Sequence, residues 1–114
     1  MSNPINLPQA QARINEIQTL YREWLTLQPQ LEAAQAQWRR SEQLMRQMIE
    51  FYENGEYGRY FQAVSDGLPL TTETLGEYSI LSEDALYDAF GEYRQLAIDW
   101  LKLAVGALDD EKAA

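Results

Sequence analysis

Apolar residues recur by threes and fours through Ile17, Leu20, Trp24, Leu27, Leu31, Ala34, Trp38, Met45, Met48 and Tyr52, with Ser41 as the polar member of the series. This spacing places them on one face of a helix and makes an a/d seam through five heptads. The helix is expected from Gln9 onward, because Pro4, Pro8, Asn3 and Asn6 suit a flexible arm over residues 1–8. Pro29 lies inside the repeat without shifting its phase. A proline there removes one backbone hydrogen bond and crowds the preceding turn, so it either kinks a near-continuous helix or opens a second one. The absence of glycine or asparagine in Leu25-Thr26-Leu27-Gln28 favours the kinked helix, and a hairpin at 28–30 is the alternative.

The pattern breaks at Asn54-Gly55, residues that tolerate the left-handed conformation closing a helix. Tyr57, Tyr60, Phe61 and Val64 then follow the helical period over two turns, weakened by Gly58. Asp66-Gly67 reads as a turn and Leu68-Pro69-Leu70 as an extended step. Residues 71–79 allow at most one helical turn, stopped at Gly76. A last helix is predicted from Ser82, with Ser82 as cap, Glu83 and Asp84 in the first turn and Leu81 stapled on Leu86. Its apolar face is Leu86, Phe90, Tyr93, Ala97, Trp100, Leu101, Ala104 and Leu108; it frays after Gly106 into an acidic disordered tail, 109–114. The expected fold is all-α: one helical domain over 9–108, with the C-terminal helix packed back on the long N-terminal one through a short aromatic helix and an irregular connector.

Several of these stretches carry a resemblance. Arg13-Ile14-x-x-Ile17-x-x-x-Tyr21, Tyr52-x-Asn54-Gly55-Glu56-Tyr57, Asp66-Gly67-Leu68-Pro69 and above all Ile80-Leu81-Ser82-Glu83-Asp84-Ala85-Leu86-Tyr87-Asp88 resemble the bacterial domain of unknown function 4298 family over residues 13–96. Tyr57 stands where that family tends to have tryptophan, and Leu75-Gly76-Glu77-Tyr78 replaces a more basic approach to the final motif. The resemblance implies a small helical bacterial protein of the cytoplasm and brings no established activity with it.

Composition narrows the chemistry. The chain has neither cysteine nor histidine. Thiolate and imidazole ligands, a cysteine nucleophile and a Ser-His-Asp triad are therefore excluded, and the expectation is a non-enzymatic protein without a cofactor. Of the net charge of −9, residues 1–55 hold −1 and residues 56–114 hold −8. Direct nucleic-acid binding runs against that balance, because affinity for phosphates rests on lysine and arginine. No apolar run is long enough for a membrane span, and the N-terminus lacks the features of a secretory signal, so a cytoplasmic location is expected.

Three readings follow. The first is a protein-binding adaptor or regulatory module whose partner site uses Tyr52, Tyr57, Tyr60, Tyr78, Tyr87 and Asp88, since tyrosine buries area while keeping a polar tip. In this reading Ile17, Leu20, Trp24, Leu27, Leu31 and Trp38 are a candidate homodimer seam, because five heptads exceed what the last helix can cover. The second is an acidic nucleic-acid mimic that occupies the basic groove of a DNA-binding or nuclease partner. The third is a carboxylate-dependent metal-binding protein or enzyme centred on Asp84 and Asp88, although capping of the helix and a solvated face explain those acids better.

Overall fold

The structure is a computed structural model that describes residues 4–113, with side chains through residue 110. Residues 1–3 of the expected arm and residue 114 of the expected tail lie outside the described residues. Three helices follow one another: α1, Leu7–Glu53; α2, Glu56–Ser65; and α3, Ala85–Ala113. The order is the one the periodicity predicts. The chain divides into two compact units, Met1–Ser41 and Glu42–Ala114, with the boundary inside α1.

In the first unit α1 starts at Leu7, two residues earlier than the periodicity suggests, because Asn6 caps it. The Gln9 amide donates to the Asn6 side-chain oxygen at 3.1 Å, and the Ala10 amide to the Asn6 carbonyl at 2.9 Å. Pro8 sits in the first turn, where its missing N–H costs nothing. The helix continues through Pro29, so the hairpin alternative does not occur. Short-range side-chain bonds support it along its length: Gln11 to Asn15, Gln28 to Glu32, and the Arg13–Glu16 ion pair at 3.0 Å. Each contributes only a few tenths of a kcal/mol, about 0.2–0.5. Its seam residues from Ile17 to Leu31 stand 42–55% exposed.

In the second unit α1 closes at Asn54-Gly55. Gly55 takes φ 95°, and the Asn54 side-chain oxygen accepts from the Glu56 amide at 2.9 Å. α2 ends in a paired closure around Gly67 (φ 100°), in which the Leu68 amide donates to Ala63 and the Gly67 amide to Val64. That is the Schellman arrangement, and it satisfies two carbonyls the helix leaves open. The connector holds no helical turn. Thr74 and Glu77 instead form an isolated bridge around Leu75-Gly76, with Gly76 at φ 82°, as a type II turn demands.

α3 begins at Ala85, not Ser82. Its first backbone bond runs from the Asp88 amide to the Asp84 carbonyl at 2.8 Å, so Asp84 holds the cap position and Asp88 is the acid of the first turn. The Ser82 amide is instead taken by the Ser79 carbonyl, and the Leu81 amide by the Ser79 hydroxyl, which hold residues 79–82 in a turn. α3 runs without fraying at Gly106 to Ala113. Leu86 is the buried hydrophobic residue of the described chain, at 5% exposure, and Phe90, Tyr93 and Ala97 are half-buried. From Trp100 onward the predicted apolar face is exposed: Trp100, Leu101 and Leu108 all face solvent.

Candidate functional site

The best-organised corner of the second unit is aromatic. Tyr57, in the first turn of α2, meets Tyr52 at 5.0 Å between ring centroids, Phe51 edge-on at 6.4 Å and Phe61 in a stack at 6.1 Å. Tyr60 stacks on Phe51 at 6.2 Å and carries the Arg59 guanidinium over its ring at 5.0 Å. Tyr52 reaches α3 through an edge contact with Phe90 at 5.7 Å. Such pairs each add about 0.5–1.5 kcal/mol beyond the area they bury. The Tyr57 hydroxyl lies 3.3 Å from both the Leu81 and Ser82 carbonyls, so its single proton is shared between them. One side chain thus joins the end of α1, α2 and the approach to α3.

Beside this cluster lies an open recess of about 340 Å³. Phe51 of α1 and Tyr60 of α2 line one part of it, and the connector supplies the remaining wall. Leu70, Ile80 and Leu81 are the wall's aliphatic members, and Thr71, Thr72, Thr74 and Ser79 are its hydroxyls. Glu77 is its carboxylate. Tyr78 also lines it and is 90% exposed, and Leu75, at the tip of the type II turn, is 102% exposed. The recess suits an apolar side chain with hydrogen-bonding groups around it, and a basic group beside Glu77. Its ionisable groups are the Glu77 carboxylate and the phenols of Tyr60 and Tyr78.

The tyrosines singled out from sequence divide into three groups. Tyr52, Tyr57 and Tyr60 come together in the cluster, and Tyr78 lies at the rim of the recess. Tyr87 and Asp88 are exposed on the first turn of α3 and do not line the recess. Phe51 is the residue that periodicity missed. It falls one place before Tyr52 and off the seam, yet it touches both Tyr57 and Tyr60. No group of three or more carboxylates among the described residues, at Asp84 and Asp88 or elsewhere, is placed to hold a metal ion. Nor is any described helix long and apolar enough to cross a membrane.

The family model described as "Domain of unknown function (DUF4298)" matches residues 14–103. The chain belongs to this family. The matched span includes the whole of the aromatic cluster, the recess and the first half of α3, so in this DUF4298 chain the site is part of the family's domain. No curated protein and no solved structure matches the chain.

Proposed function

We propose that this chain is a non-enzymatic protein-binding module, an adaptor or regulatory subunit of the bacterial cytoplasm, and that the recess beside the aromatic cluster receives an apolar side chain of its partner. The observation that carries this reading is the pair Leu75 and Tyr78, held out into solvent by a tight turn at the edge of an apolar recess. A type II turn asks only for glycine at its third position, and a polar residue at the second serves equally well. Exposed apolar surface costs about 25 cal/mol per Å², so a fully exposed leucine next to an exposed tyrosine contributes nothing to folding and gains only when a partner covers it. The acidic balance of the C-terminal half favours a partner with a basic surface around its apolar anchor.

Two paired variants test the reading on any partner captured from a bacterial lysate and identified by cross-linking. Leu75→Ser with Tyr78→Ser should lower affinity at least tenfold, about 1.4 kcal/mol, with the helical content unchanged because both side chains are exposed. Asp84→Asn with Asp88→Asn should change it little. The opposite outcome, binding abolished by the second pair and falling steeply with salt, would instead support the nucleic-acid mimic.

A further inference from the structure

α1 before Ser41 presents an apolar stripe on a helix whose polar faces are already served by short-range bonds. Ile17, Leu20, Trp24, Leu27 and Leu31 are each between 42 and 55% exposed. Ile14 and Tyr21 flank them and are exposed to a similar degree. At roughly 200 Å² for each side chain of this size, these seven offer about 700 Å² of accessible surface. A stable two-protein interface removes about 800 Å² from each partner. The stripe is therefore of the size one dimer interface needs.

We infer that a second copy of this chain covers the stripe, with the two α1 helices antiparallel and the two-fold axis between Leu25 and Thr26. Taking Ile17, Trp24 and Leu31 as a positions makes Leu20, Leu27 and Ala34 the d positions, and Pro29 then falls at f, on the outer face. The proline that disturbs the backbone thus leaves the seam intact. In the antiparallel register Trp24 of each chain meets Leu27 of the other, Leu20 meets Leu31 and Ile17 meets the small Ala34. A parallel pair sets Trp24 against its own copy, two bulky rings in one layer. The residues beside the antiparallel seam add no like-charge penalty: Glu23 faces Gln30, Glu16 faces Gln37 and Tyr21 faces Gln28. Trp38, half-buried and engaged within its own chain, is not required. None of these residues lines the recess, so this pairing stands or falls separately from the proposed function.

The absence of cysteine makes the test direct, because a single introduced thiol can carry a spin label without competition. Gln11→Cys, Gln18→Cys and Arg39→Cys all lie on the same outer edge of the heptad. Antiparallel pairing makes the label-to-label distance grow by about 3 Å for each residue away from the axis. The distances are then roughly 40 Å at position 11, 20 Å at 18 and 40 Å at 39. Light scattering should report twice the 13.2 kDa chain mass at high micromolar concentration. Leu20→Gln with Leu27→Gln should return it to the single mass with helical content kept, since both side chains are exposed. A wild-type monomer, a distance that stays the same at all three positions, or a dimer that survives the double substitution would each overturn the pairing.

Discussion

The two units of this chain are helical for different reasons. Residues 7–41 are one helical stretch of α1 supported by its own sequence: a side-chain cap at Asn6, good helix formers, and bonds between residues three and four apart. Residues 42–113 depend on contacts between positions distant in sequence, with Tyr57 bonded to Leu81 and Ser82, Tyr52 against Phe90, and Leu86 enclosed. The difference teaches that an apolar stripe is sufficient to predict a helix but not to say what covers it. Met45 and Met48 continue the same repeat as Leu27 and Leu31, yet they are half-buried in the second unit while Leu27 and Leu31 are exposed in the first. Local support and tertiary support should therefore respond separately to substitution.

The largest effect is expected at the enclosed residue. Leu86→Ala removes the best-buried side chain and should destabilise residues 42–113 by about 3 kcal/mol in chemical denaturation. Amide exchange in residues 7–41 should stay at its wild-type rate, and a matching loss of protection there would break the distinction between the two units. Pro29→Ala acts in the opposite sense. It restores a bond to the Leu25 carbonyl and removes a ring from the helix interior, so the first unit should gain up to about 3 kcal/mol of helix stability, less whatever strain the neighbourhood has already relaxed. Thermal melting followed by circular dichroism reads that gain, and amide exchange places it in residues 25–33. The smallest effect is at Tyr57→Phe, which keeps the ring stacking and removes only the shared hydroxyl bond. About 1 kcal/mol should be lost, seen as faster amide exchange over residues 79–86 with α1 unaffected.

The punctuation of the chain was legible residue by residue. Asn54-Gly55 and Asp66-Gly67 end their helices because glycine alone enters the left-handed region without cost, and that requirement is local. The period of Tyr57, Tyr60, Phe61 and Val64 likewise predicted α2. The start of α3 was not legible in the same way. Ser82-Glu83-Asp84 reads as a cap with an acidic first turn, but residues 79–82 are drawn into a turn by Ser79 and the carbonyls of Leu81 and Ser82 accept from Tyr57, which moves the first helical residue to Ala85. Phe51 was passed over for a related reason. It lies off the seam, and its value comes from Tyr57 and Tyr60, which approach it only after the chain has reversed at Gly55.

By itself the sequence determined the helices, their order, the glycine stops between them and the apolar stripe of α1, because each follows from backbone preferences acting within a few residues. Only the tertiary structure decided which aromatic rings meet, where α3 begins, that Leu75 and Tyr78 stand outside the core, and that the recess opens beside Phe51 and Tyr60. The bonds from Tyr57 to Leu81 and Ser82 and the contact of Tyr52 with Phe90 join residues distant in sequence, and a repeat of three and four carries no record of which distant residue fills a gap.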